Sequence, residues 1–391
     1  MYVLLTLAIG LHVAYCLLIL RIAIVNTNEG FTTPPVTPTA TTTSVTIVII
    51  ARNEAHNLPQ LFTSLIKQSY PNALMHIVFV DDNSTDETLA IAQSYGTSLN
   101  IHYIALQEYA ITTHHKKQAQ ALAVKAATTN FIICIDADVV LNINFVSAHV
   151  QHHIANTTSF QYGSVLFTPP INNLISIIDY NENIALQALT RATALRNTHV
   201  LCNGANMAFS KAAYMQLNAT TALATAPTSG DDVLLMQQFI NANHKVTYVN
   251  DSAATVTHAT TPSIKVYVQQ RARWLSKQGA YTNILLNGIM YCIGITNLLM
   301  PLYQLVVVAS GSMLYMYNIH CGALCSTTLF CIITKMSVDV FLIKRYKKYI
   351  GVPTIINTKF ITATLTYSWL VWLVVVYSKV NSVQWKGRRI R

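Results

Sequence analysis

The chain has 391 residues, 52% of them hydrophobic and only 10% charged, with 25 Lys and Arg against 15 Asp and Glu for a net charge of +10. A soluble domain carries about 25% charged residues, so this composition excludes a protein wholly surrounded by water and requires lipid-facing segments. The basic excess gathers at 344–348 and 386–391 beside apolar runs, which suits an anionic membrane surface. No basic stripe interleaved with aromatics is present, which argues against a nucleic-acid partner. The seven cysteines show no paired spacing of zinc type and read as small buried hydrophobes of a reducing compartment.

Residues 1–20 contain no Asp, Glu, Lys or Arg, and Arg21 comes next. About 20 apolar residues in a helix reach about 30 Å, the thickness of a hydrocarbon core. Without a basic leading region or a small-residue cleavage site, 1–25 reads as an uncleaved transmembrane signal anchor. Arg21 on its distal side puts the adjoining domain in the cytoplasm. Residues 26–43 hold eight threonines and three prolines, the composition of a linker that tethers the next domain without fixing its orientation.

Strand and helix then alternate. Strands are predicted at 45–50, 76–80, 100–105 and 131–135, each short, β-branched and almost continuously apolar. Helices are predicted at 56–69, 86–95 (opened by Ser84, Asp86 and Glu87) and 116–128. Such alternation predicts a doubly wound α/β sheet over 44–280, with ligands beyond the carboxyl ends of its strands. From 281 to 391 apolar sequence returns, with spans predicted at 284–308, 323–343 and 355–377. Both basic clusters should face the cytoplasm, yet one span separates them. Pro353, Thr354 and Lys359 weaken it, so 355–377 is predicted to be re-entrant or interfacial. No internal repeat is found.

Polar clusters succeed the strands. Ala51-Arg52-Asn53-Glu54 comes after the first and Asp81-Asp82-Asn83-Ser84-Thr85-Asp86 after the second. A carboxylate there can accept hydrogen bonds from a base or a ribose hydroxyl, or can simply form an Asx turn and helix cap. The fourth strand drives into Asp136-Ala137-Asp138, two carboxylates flanking one point. Hard oxygen ligands of that kind suit Mg2+ or Mn2+ bridging to a diphosphate. Ser229-Gly230-Asp231-Asp232 precedes an apolar helix and reads either as its N-cap or as a general base. Gln270-Arg271-Ala272-Arg273-Trp274 stands at the entry to the membrane region. Its cations and Trp274 are either interfacial anchors or contacts to a donor diphosphate and an acceptor. His114 and His115 read as a solvated loop rather than metal ligands.

Together these clusters, with Lys116-Lys117-Gln118-Ala119-Gln120-Ala121-Leu122 and Asn203-Gly204-Ala205-Asn206-Met207, resemble the family 2 inverting glycosyltransferases of GT-A fold (nucleotide-diphospho-sugar transferase-like) over about three-fifths of the chain. The resemblance implies a nucleotide-sugar donor, with uridine diphosphate as the usual carrier. It implies donor contacts from Glu54, Asp82, Lys116 (or Lys117), Asp136, Gln270, Arg273 and Trp274. It further implies a metal on Asp138 with Asp136, a sugar and acceptor pocket at Gly204, Ala205, Asn206 and Trp274, and Asp232, or Asp231 beside it, as base. The expected enzyme is a multi-pass protein of the cytoplasmic membrane acting on a lipid or cell-envelope acceptor. A processive polysaccharide synthase and a non-catalytic nucleotide-sugar-binding protein are the alternatives. The missing GxGxxG after the first strand disfavours a nicotinamide oxidoreductase.

Overall fold

A computed structural model describes residues 2–26, 43–109, 115–170, 173–220, 231–317, 322–382, 384–386 and 388–389. Most of the expected linker, His114, residues 229–230 and the side chains of His115 and Asp231 lie outside the described set.

The chain opens with helix α1 (Tyr2–Val25) and then alternates β1 (Val45–Ala51), α2 (Leu58–Ile66), β2 (Met75–Asp81), α3 (Thr88–Ser94), β3 (Ile101–Ala105), α4 (His115–Ala126) and β4 (Phe131–Asp136). Next come β5 (Val139–Leu141), α5 (Phe145–Asn156), β6 (Phe160–Tyr162), β7 (Val165–Phe167), the long α6 (Leu174–Ala194), β8 (Met207–Ser210) and α7 (Lys211–Thr220). The domain closes with α8 (Asp231–Asn241), β9 (Val246–Tyr248), β10 (Val256–His258) and α9 (Ile264–Leu275). Three long helices come after it, α10 (Ile284–Tyr317), α11 (Gly322–Tyr349) and α12 (Thr358–Val380), then the short hairpin β11 (Gln384–Trp385) and β12 (Arg388–Arg389).

The main sheet has the order β3-β2-β1-β4-β8-β6-β9. Its first four strands are parallel, with Val45 opposite both Met75 and Phe131. β8 runs antiparallel to both neighbours, β4 and β6. The sheet is therefore mixed rather than uniformly parallel, a departure that the local pattern of β8, four residues long, could not signal. Alternation along β1 and β4 feeds two cores. Val45, Ile47 and Ile49 join Phe131, Ile133 and Ile135 beneath α2, α3 and α5. Val48, Ile132 and Cys134 face α4, α7 and α8. Each fully buried branched side chain contributes about 1.5–3 kcal/mol. A second sheet, β5-β10-β7, lies beside the end of β4.

Among the described residues four helical stretches are long and apolar enough to cross a membrane: Thr6–Val25, Ile284–Ser310, Leu324–Tyr349 and Thr358–Val380. They match the expected spans to within a few residues. Large apolar side chains such as Ile284, Val308, Phe330 and Val380 stand exposed on them.

The α/β domain does not hang free on its linker. Asn26, just past α1, donates from Nδ2 to the Ala188 carbonyl of α6 at 3.0 Å. Arg191 of α6 is the largest fully buried side chain. It donates to Asn26 Oδ1 at 3.2 Å, the Val25 carbonyl at 3.4 Å and Asn250 Oδ1 at 3.0 Å, and lies 3.8 Å from the centre of the Tyr349 ring. One guanidinium thus joins α1, α6, α11 and the domain, which corrects the expectation of an unfixed orientation. Arg191→Met should cost about 2–4 kcal/mol, because it strands buried acceptors. A thermal melt in detergent checks this, and an unchanged midpoint would refute the fastening.

Candidate active site

The site lies where β1, β2 and β4 end. Two residues held at positive φ, Asn53 (51°) and Asn83 (54°), turn the chain sharply after β1 and β2. The two loops are stitched together. The Glu54 amide donates to Thr88 Oγ1 at 2.7 Å, the Thr85 amide to Asn53 Oδ1 at 2.8 Å, and the Ala55 amide to Asp86 Oδ2 at 3.2 Å. Arg52 Nη1 closes the corner on the carbonyls of Asp82 and Asn83, each at 2.7 Å. Asp82 is completely buried in this corner and Glu54 nearly so. Burial pushes the Glu54 carboxyl above its ordinary range, against the pull of Lys386, whose ammonium is hydrogen-bonded to Glu54 Oε1.

Strand alternation decides where Asp136 points. Ile132, Cys134 and Asp136 share one face of β4, the face under α4. Lys116, in the first turn of α4, reaches Asp136 Oδ1 at 3.2 Å. Lys117 beside it is buried.

Asp138 sits just beyond the end of β4 and pairs with His258, whose Nε2 is 2.9 Å from Asp138 Oδ2. Sequence reading missed His258. It sits between Thr257 and Ala259, and only the antiparallel register of β10 on β5, His258 opposite Val139, brings it beside Asp138. Burial opposes charge on His258, but the hydrogen bond and charge of Asp138 hold it up at about 9. Burial likewise opposes ionisation of Asp138, yet His258 holds that carboxyl below its ordinary range.

Asp232 lies in the first turn of α8, where the macrodipole favours an anion. Its Oδ1 accepts from the Val233 amide at 2.8 Å and its Oδ2 from the Gly204 amide at 3.0 Å. A methyl group at Gly204 would lie 3.6 Å from Asp232 Cβ and 3.9 Å from Lys116 Nζ. Gly204, Asp232, Lys116 and Asp136 therefore converge on one point. Ala205 is buried in the core under β1. Asn206, expected to line the pocket, is also fully buried. Its amide donates to the carbonyls of Ser164 (2.8 Å) and Ala254 (2.7 Å), and its Oδ1 lies 2.9 Å from His149 Nε2. It braces the Gly204 loop from beneath.

Helix α9, capped by the Ser263 hydroxyl on the Val266 amide, presents two arginines on different faces. Residues two apart differ by about 200° around a helix. Arg271 turns to α6, with Nη2 2.5 Å from Asp179 Oδ1 and 2.6 Å from Glu182 Oε2. Gln270 Oε1 accepts from it, and its guanidinium lies 4.2 Å from the Trp274 ring centre. Gln270 and Trp274 are thus flanking partners of Arg271, a residue the sequence presented only as an interfacial cation. Arg273 faces the other way. Burial pulls its guanidinium below the ordinary value, while the charges of Asp136, Asp232 and Asp138 pull it back.

Hard oxygen atoms at Asp136 and Asp138 fit Mg2+ or Mn2+. Among the described residues no three His, Cys, Asp or Glu side chains are placed to hold an ion unaided. The remaining ligands would be water or donor oxygens.

Comparison with known proteins agrees with this arrangement. Residues 46–217, less than half of the chain, match the profile described as Glycosyl transferase family 2. Similar proteins include the poly(ribitol-phosphate) β-N-acetylglucosaminyltransferase TarS of Staphylococcus aureus, 23% identical over 53% of this chain and 34% of that protein. The 4,4'-diaponeurosporenoate glycosyltransferase of Staphylococcus haemolyticus is 27% identical over 36% of this chain and 39% of that one. The matched region thus spans only about a third of these relatives. A mannosyltransferase of Pyrobaculum calidifontis, solved with GDP-mannose and Mn2+, superposes with a TM-score of 0.56 over 96% of this chain and 98% of its own, at 15% identity. That likeness establishes a GT-A-like fold.

Two glycines separate support from open site. A methyl group at Gly163 would lie 2.6 Å from Asn206 Nδ2 and 2.7 Å from the Ala254 carbonyl. Gly163→Ala should displace the Asn206 brace and cost about 1–3 kcal/mol. Gly204→Ala, which meets only ordinary contacts, should melt near the wild-type temperature. Equal melting temperatures for the two variants would contradict this assignment.

Proposed function

We propose that this protein is a membrane-bound inverting glycosyltransferase that moves a sugar from a nucleotide-sugar donor, UDP-linked in the first instance, to a hydroxyl of a lipid or cell-envelope acceptor. The observation that carries this reading is the gathering of Asp136, Asp138, Asp232, Lys116 and Arg273 at the carboxyl end of the sheet. Nucleoside contacts fall to the Glu54 corner, which the completely buried Asp82 supports from beneath, and Asp138 with Asp136 would hold a divalent cation. That ion, when bound, neutralises charge on the departing diphosphate. Lys116 and Arg273 add their own charge to the same oxygens. Asp232 is held rigid by two backbone amides, and each of its oxygens keeps a lone pair. It takes the proton from the acceptor hydroxyl as that oxygen bonds to the anomeric carbon from the opposite face. The bond from that carbon to the diphosphate breaks with its electron pair on the leaving oxygen. The configuration inverts and no glycosyl-enzyme forms.

An amphiphilic acceptor suits the membrane face. A cavity of about 130 Å³ lies among α1, α6, α10, α11 and α12, lined by Ile19, Ile178, Leu189, Ile293 and Leu342, with Glu182 on its wall. Glu182 also holds Arg271 of α9, so the cavity abuts the helix that carries Arg273.

Asp232→Asn and Asp138→Asn should each lower donor-dependent transfer in membranes by about 10²–10⁴-fold. Chelation should abolish wild-type transfer, and added Mn2+ should restore it. Near-wild-type turnover in either variant would remove that residue from its role.

The same reading keeps both basic clusters on the side of the catalytic domain. Tyr349, at the end of α11, donates to Asn250 at 2.5 Å, and Lys386, beyond α12, donates to the Arg52 carbonyl at 2.6 Å. With both flanks fastened to the domain, the unbroken α12 lies along the interface rather than crossing. Lys348→Cys and Arg388→Cys, in a background otherwise free of cysteine, should label from the same side. Opposite-side labelling would make α12 a full crossing.

A further inference from the structure

The C-terminal hairpin lies over the nucleotide corner, far from its neighbours in sequence. Gln384 and Trp385 pair antiparallel with Arg389 and Arg388. Lys386 takes the tight turn between them at φ 45°, a left-handed conformation that fixes its direction. Its ammonium donates to Glu54 Oε1 and to the Arg52 carbonyl, and its own carbonyl accepts from Arg52 Nε at 3.2 Å. The contact is therefore reciprocal, backbone and side chain both ways, across 334 residues of chain. β11 also packs against α9, the helix that brings Arg273 to the carboxylates. The charge of Lys386 acts on Asp138 as well as on Glu54. Lys386 thus stands against the expected nucleoside contact, at the β1 loop that the first phosphates of a nucleoside diphosphate would pass.

We propose that the hairpin is part of the donor site and that Lys386 is a donor-binding residue, supplying the diphosphate with a third cation beside Lys116 and Arg273. This rests on the glycosyltransferase reading above. A nucleoside read by Glu54 competes for the Lys386 contact. The ammonium then needs only a side-chain rotation to exchange the carboxylate for a phosphate oxygen, while the backbone contacts to Arg52 hold the turn in place. Entry and exit of the nucleotide depend on the seating of the hairpin on the β1 loop. Donor affinity is thereby linked to α12, the helix from which the hairpin emerges.

The test is the binding of UDP with Mn2+ to the full-length protein in detergent, together with the KM for the nucleotide sugar. Lys386→Ala should weaken UDP binding and raise the donor KM by roughly tenfold or more, as loss of a charge-assisted hydrogen bond implies. Lys386→Arg should recover part of the loss. Saturating UDP and Mn2+ should slow tryptic cleavage after residues 386, 388 and 389 in wild type, and a melt of each variant separates weak binding from misfolding. Unchanged affinity in Lys386→Ala would overturn the proposal, as would tighter binding, which would make the hairpin a plug. If wild-type protein binds no nucleotide or nucleotide sugar at all, the functional reading fails first. If wild type binds and Lys386→Ala binds equally, only this inference falls.

Discussion

Acidic side chains crowded at the end of a sheet repel one another, and the fold answers by giving several of them a cation from a distant part of the chain. Asp136 takes Lys116 from α4, Asp138 takes His258 from β10, and Glu54 takes Lys386 from the terminal hairpin. Arg273 answers to Asp136, Asp138 and Asp232 together. At a spacing of about 4 Å, two like charges near a protein surface cost a few kcal/mol, so the cluster is stable only with these partners in place. The same balance leaves a polar cleft in which cations and carboxylates stand side by side.

This pairing ties the cleft to the long apolar helices. Lys386 lies just past α12, and Arg273 belongs to the helix that Arg271 fastens to Asp179 and Glu182 of α6. α6 is in turn locked to α1 and α11 through Arg191. Removing one partner of a buried ion pair leaves an uncompensated charge worth several kcal/mol, so these fastenings act more as constraints on geometry than as surplus stability. The α/β domain and the apolar helices thus form one framework around the cleft.

The range of the forces that encode each feature decides how legible it is in the sequence. β1, β2 and β4 announce themselves as continuous apolar runs, and the acidic residues after them fall at strand ends because the pattern stops there. The reversed strand β8 offers only four residues, and its direction is set by neighbours remote in sequence. His258 is a lone histidine between small residues until the β10–β5 register places it. Asn206 reads as polar and open but is spent on two backbone carbonyls. Lys386 belongs, by composition, to a basic tail facing lipid; only folding returns it to Glu54.

The two arginines of α9 share one helix but serve opposite faces. A single residue inserted between them would leave the Arg271 anchor undisturbed and swing Arg273 through about 100°, away from the carboxylates, with no side chain lost. The phase of that helix, as much as its residues, couples the apolar helices of the molecule to the cleft at the end of the sheet. A sideways slip of α6 or α12 would therefore be felt at the cleft as a change in local positive potential.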